Sequence, residues 1–193
     1  MNPSKINKSD SSLVLVMALT LITIISATLL AIVFKATEQP IADALRKEKL
    51  KAISAVLGNY ANEPDKDEIN LKNKYIYPAK NAEGKLIGVA FKTSSQEGYS
   101  GLIELMMGVD NNGKIKGLYV LNHKETPGLG DKMSHDFFKK QFIGKNLENF
   151  NFKVKKDGGD VDAITAATIT SRAVSSALEN GLEFYNDIKD NIQ

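Results

Sequence analysis

The chain has 193 residues, 42% of them hydrophobic and 25% charged, with a net charge of +2, two histidines, no cysteine and no tryptophan. That length suits about one domain, and the charge density is that of a folded chain rather than a disordered one. Without cysteine there is no thiolate for an iron–sulfur cluster or a zinc site, no disulfide and no cysteine nucleophile, so redox work needs an organic cofactor. The near-neutral balance offers no basic footprint for nucleic acid.

Residues 1–12 read as a short cytoplasmic tail. Residues 13–34 contain no charged side chain, and at about 1.5 Å per residue a helix of that length reaches about 33 Å, enough for a hydrocarbon core of about 30 Å. This segment is read as a transmembrane helix. The rival readings are a cleaved signal peptide and a buried helix of a soluble protein. Signal peptides have apolar regions of about 7–15 residues ending in a small-x-small site, and Phe34-Lys35-Ala36-Thr37-Glu38 does not supply one. Lys5 and Lys8 precede the span while Lys35, Arg46, Lys47 and Lys49 follow it, a near tie in flanking positive charge. Long downstream domains translocate largely regardless of charge, so the short tail decides the orientation. The soluble part is then expected on the periplasmic or external side of the cell (inner) membrane.

Residues 35–73 read as a connector helix and loop. Pro40 is placed as the first residue of a new helix, where its missing N–H costs nothing. Ile41, Ala44, Leu45, Ala52, Ile53, Val56 and Leu57 form its apolar stripe, with charged residues on the other face. Residues 62–73 are polar and read as a loop. The domain core is expected over 74–193. Residues 75–77 lead through the turn 81–84 into 85–93, and 101–109 lead through Asp110-Asn111-Asn112-Gly113 into 114–122, two hairpins with suitable turn chemistry. A short amphipathic helix is predicted over 131–142, a strand near 150–154 and a long helix at the C-terminal end. The class is therefore α+β: a transmembrane helix followed by a domain with an antiparallel sheet and flanking helices.

Two segments are unlike ordinary connections. In His123-Lys124-Glu125-Thr126-Pro127-Gly128-Leu129-Gly130, proline and glycines shape a loop whose main chain can approach a flat ligand closely. The same residues also make an ordinary turn. In Asp162-Ala163-Ile164-Thr165-Ala166-Ala167-Thr168, small residues and hydroxyls lie where the last helix begins. A phosphate there meets unsatisfied N–H groups and the positive end of the helix dipole, with Arg172 able to add charge. Simple capping of the helix by a hydroxyl is the alternative.

Together with the N-terminal span, these two motifs resemble the FMN-binding domain of the RnfG and NqrC subunits of ion-translocating Rnf and Na+-translocating NADH:quinone oxidoreductase complexes. The resemblance covers essentially the whole chain. The family pattern is an Asp, two residues, Ser or Thr, a small residue, Ala, then Thr. Glycine is commonest where this chain has Ala166, a departure that keeps a small residue but gives up backbone freedom.

The resemblance implies a covalently bound FMN, attached through a phosphoester to Thr168 by a separate flavin transferase. It places Thr165, Ala166 and Ala167 on the attachment side and Glu125, Thr126, Gly128, Leu129 and Gly130 beside the isoalloxazine. Gly98-Tyr99-Ser100-Gly101 matches a further glycine-aromatic turn, in which Tyr99 either lines the flavin or packs. His123 is expected to order its loop, and His135 to sit on an exposed helix face. No catalytic residue and no metal site are assigned. The implied function is an electron-relay subunit, incomplete as an enzyme alone, within a membrane complex that moves Na+ or H+. Its partners are the other complex subunits, the transferase and membrane lipid. The short soluble part favours RnfG over NqrC. A membrane-anchored binding or sensing module without covalent flavin is the reading from a different class.

Overall fold

The computed structural model describes residues 8–192, with side chains from residue 12 onward. One helix, α1 (Lys8–Leu57), opens it. Leu13, Leu21 and Leu30 along its charge-free stretch are 60–70% exposed, and the helix is long and apolar enough to cross a membrane. The hydroxyls of Thr20, Thr23 and Thr28 donate to the carbonyls of Val16, Thr20 and Ile24 at 2.7–2.8 Å. These polar groups are thus satisfied inside the helix, as hydrocarbon requires. Of the predicted tail, positions 1–7 lie outside the described residues and 8–12 continue α1.

Pro40 lies inside α1 rather than at the start of a second helix. The apolar run before it supplies the costly nucleus, and Lys35, Ala36, Glu38 and Gln39 are good helix formers. The proline then removes one backbone bond, to the carbonyl of Ala36, instead of ending the element.

Two compact units divide the chain, the first ending at Lys47 and the second running Glu48–Gln193. The second unit contains five strands in antiparallel meander order: β1 (Ile69–Leu71), β2 (Lys74–Lys80), β3 (Leu86–Gly98), β4 (Gly101–Val109) and β5 (Ile115–Asn122). Both predicted hairpins are present. β1 lies in the segment expected to be loop, where Ile69 pairs with Ile76 and Leu71 with Lys74 to extend the sheet edge.

The side-chain alternation of the strands feeds two cores. Ile76, Val89, Phe91, Leu105 and Met107 face one way, toward the helix α3 (Thr168–Ile188). Tyr77, Ala90 and Met106 face the other way, toward Ala52, Ile53, Val56 and Leu57 at the end of α1. The last turns of α1 are therefore a layer of the domain and not a connector. They lie against glycines: a Cβ at Gly117 would stand 2.6 Å from Val56 Cα, and one at Gly108 would overlap the Val56 carbonyl.

The helix predicted over 131–142 is broken into a 3-10 turn (Gly130–Ser134), α2 (Asp136–Lys139) and a second 3-10 turn (Lys140–Phe142), with His135 extended between the first two. Met133 and Phe138 are both fully buried but stand five positions apart, off a common helix face. The break returns both to the core. The strand expected near 150–154 is a single bridge, Val154 to Val161. Phe150 and Phe152 instead pack on Phe142, with ring centroids 6.1 and 6.2 Å away.

Candidate functional site

The meander brings the two unusual segments to the same end of the sheet. Gly98 pairs with Gly101 across the Tyr99-Ser100 turn, and Glu104 pairs with Asn122, the last residue of β5 before the 123–130 loop. α3 starts at this end and crosses the sheet. Thr93 Oγ1 on β3 donates to the Ala177 carbonyl at 2.6 Å, and further along Tyr185 donates to the carbonyl of Asp110 at 3.1 Å. The turn, the loop and the start of α3 enclose a cleft of about 540 Å³, within the usual range of ligand sites, about 300–1,000 Å³.

The start of α3 is held from below. The Ala167 N–H donates to the Ile164 carbonyl at 2.9 Å. Ser171, fully buried, accepts from the Ile164 N–H and donates to the Ala167 carbonyl, both at 2.9 Å. Ala166 sits between them at φ +62°, the left-handed conformation that favours glycine. The N-cap is Ala167, with no side-chain bond to the helix. Hydroxyl capping therefore does not explain the threonines. The first intrahelical bond runs from the Ser171 N–H to the Ala167 carbonyl, and the amides of Thr168, Ile169 and Thr170 precede it.

Across the cleft, Glu125 is 5% exposed. Its Oε1 accepts from the Ser100 N–H at 2.8 Å, and its Oε2 accepts from the Thr170 hydroxyl. Its own N–H donates to His123 Nδ1 at 3.2 Å, so His123 does order the loop. His135 is exposed but lies just before α2, edge-on to Phe137, and not on the helix face expected for it.

Tyr99, Glu125, Thr126, Leu129, Gly130, Ala166, Ala167 and Thr168 line the cleft, as do Ile169 and Thr170. Gly128 and Thr165 do not. Gly128 turns the loop at φ +77° in open space, and Thr165 faces solvent. Tyr99 is 69% exposed and stands at the rim rather than packing inward. Ile169 and Thr170 were not expected from the sequence, yet each carries a signal there. Ile169 is apolar off the buried stripe of α3, and Thr170 is polar one turn before Val174 on that stripe.

Arg172 is not directed to the cleft's charge balance. Its Nε and Nη2 bond Asp157 at 2.6 and 2.8 Å. That pairing holds the Asp157 carboxyl below its ordinary range and raises the guanidinium. Asp162 is paired with Lys155 at 2.7 Å, and its N–H donates to Gln141 Oε1.

The donor set suits a flat ligand bearing a phosphate: apolar edges at Tyr99, Leu129 and Ile169, a hydroxyl at Thr168, and free amides at a helix start. The FMN-binding domain family matches residues 98–183, a span that includes all three walls of the cleft. The RnfG protein of the ion-translocating oxidoreductase complex of Aliivibrio fischeri is 34% identical over 192 residues, covering 92% of this chain and 91% of the relative.

This chain belongs to the RnfG family of ion-translocating oxidoreductase complex subunits.

The RnfG protein of Pseudoalteromonas atlantica is 35% identical over 90% of this chain and 88% of its own length. Among solved structures, the crystal structure of Shewanella oneidensis NqrC matches with a TM-score of 0.51 at 23% identity, over 71% of each chain. That likeness shows a common fold, as expected from the resemblance to both subunits. The fit of this RnfG-family chain to FMN thus rests on its own cleft and on the family match together.

Proposed function

We propose that this chain is the membrane-anchored electron carrier of an Rnf-type ion-translocating complex, with FMN held in the cleft by a phosphoester to Thr168. The observation that carries the reading is the position of Thr168. It is the first residue of a 21-residue helix, half-buried, on the wall of a cleft large enough for a flavin.

The side chains divide the work. The Thr168 hydroxyl would hold FMN through its phosphate as a diester, and the amides at the start of α3 would face the single negative charge that diester carries. Ser171 and Ala166 hold the backbone that presents this threonine. Tyr99, Leu129 and Ile169 supply apolar contact around the ring, and Thr126 supplies a polar rim. FMN itself supplies the electron acceptance and release, which no side chain here provides. With no thiolate and no nicotinamide-binding fingerprint, donor and acceptor sites belong to partner subunits, as does the path of Na+ or H+.

The charge-free stretch of α1 is the anchor, with the cleft on the periplasmic or external side. A covalent tether suits that side, where released cofactor is not recovered. Protease added to cells stripped of any outer barrier should cut the domain, and full protection would reverse this placement.

The deciding experiment is the intact mass of the chain produced with an active flavin transferase. An adduct equal to FMN less water is expected, with flavin fluorescence surviving denaturation and both lost in Thr168→Ala. An unmodified mass from wild type under those conditions would leave a binding or sensing module as the better reading.

A further inference from the structure

Glu125 does more in this cleft than line it. Its carboxylate joins three segments that are far apart in sequence: the Tyr99-Ser100 turn, its own loop and the first turn of α3. It is seated between two glycines. A Cβ at Gly98 would stand 2.9 Å from Oε1, and one at Gly130 would stand 2.6 Å from Oε2. Both oxygens act as acceptors. Among the described residues it forms no ion pair.

A buried charge that is hydrogen-bonded but has no counter-ion projects its field into the neighbouring cavity, because little water is present to screen it. The bridging role alone does not need the charge. A glutamine of the same shape keeps an acceptor toward the Ser100 N–H and offers a donor to the Thr170 hydroxyl.

We propose that Glu125 is a positioning residue that locks the Tyr99 turn onto the start of α3, and that its carboxylate lowers the reduction potential of the flavin. The electrostatic half rests on the reading that FMN occupies the cleft. Two-electron reduction of an isoalloxazine with uptake of one proton adds one negative charge to the ring, and a carboxylate in the wall opposes that charge.

The test uses the full chain in detergent, wild type and substituted. Glu125→Gln and wild type, both flavinylated, are titrated with dithionite against a reference dye. The glutamine variant should be about tenfold easier to reduce, which for a two-electron couple is about 30 mV more positive. Backbone exchange at the Ser100 amide is measured in flavin-free protein carrying Thr168→Ala. Protection should survive in Glu125→Gln and fall at least tenfold in Glu125→Ala.

An unchanged potential in Glu125→Gln overturns the electrostatic role. A Ser100 amide still protected in Glu125→Ala overturns the bridge. Should wild type carry no flavin, it is the functional reading that fails, and the exchange measurement still decides the bridge. Should Glu125→Ala not fold, loss of Ser100 protection in Thr170→Val, which frees one carboxylate oxygen, supports the bridge, and retained protection counts against it.

Discussion

Gly130→Ala tests whether the cleft is packed as tightly as its geometry implies. The added Cβ would lie 2.6 Å from Glu125 Oε2, 2.7 Å from Glu125 Cβ and 2.8 Å from Thr170 Oγ1, where about 3.5 Å is comfortable for non-bonded carbon contacts. Neither neighbour is free to retreat, since Glu125 and Thr170 are buried and bonded to each other. Overpacking of this kind costs about 1–3 kcal/mol, and breaking a hydrogen bond to a charged group costs about 1.5–3 kcal/mol. The alanine recovers about 0.4–1 kcal/mol by restricting the unfolded chain. A net loss of about 3.5 kcal/mol is expected, which in a domain of this size lowers Tm by roughly 7–14 °C. Thermal unfolding of the full chain in detergent, followed by tyrosine absorbance, reads it. Gly128→Ala is the control, because that position has open space around it and only its φ of +77° resists a side chain. Its cost should be about 1 kcal/mol from backbone strain alone. A Gly130→Ala protein that melts like wild type, or that is hurt less than Gly128→Ala, would refute the reasoning.

Three further outcomes follow from the start of α3. Ala166→Gly should stabilise the protein by about 0.5 kcal/mol in urea titrations, since relief of a left-handed alanine outweighs the added freedom of the unfolded chain, while Ala166→Val should destabilise it. A loss of stability in the glycine variant would mean that the φ of +62° at this residue is not the native conformation. Ser171→Ala leaves the buried Ile164 N–H without an acceptor and should cost about 1–3 kcal/mol. A midpoint unchanged from wild type would show that the 164–167 loop is held by something else. The Asp157 carboxyl, held low by Arg172, releases its proton more readily folded than unfolded. Its stabilisation is therefore present above the unfolded pKa and lost as pH falls through the folded value. The small Tm gap between wild type and Arg172→Ala should hold above about pH 5 and narrow as pH falls from about 5 to about 2. A gap constant over that interval would argue against the pairing.

Much of the second unit was legible without coordinates. The two hairpins were readable because turn residues such as Asn112-Gly113 act on their immediate neighbours, and the long last helix because its stripe repeats over many turns. The cleft residues were legible through motif resemblance, though that route also included Gly128 and Thr165, which the fold turns away. Other features lay outside local reasoning. Nothing near Pro40 reveals that the helix before it is stable enough to continue, and β1 is a strand only because β2 offers it an edge. The five-residue spacing of Met133 and Phe138 was a readable warning that 131–142 does not form one helix.

By itself the sequence determined the division into a charge-free helix and a polar domain, and the exclusion of thiolate chemistry. Each depends on which residues are present and how close in sequence they stand. The tertiary structure decided that the end of α1 forms a layer of the domain against Gly108 and Gly117. It decided that Ala166 takes a glycine-like backbone, and that one buried acid joins residues 25 and 45 positions away. Contacts at such separations exist only after the sheet has brought its ends together. A periodicity or a turn motif, which reports on a few neighbouring residues, carries no information about them.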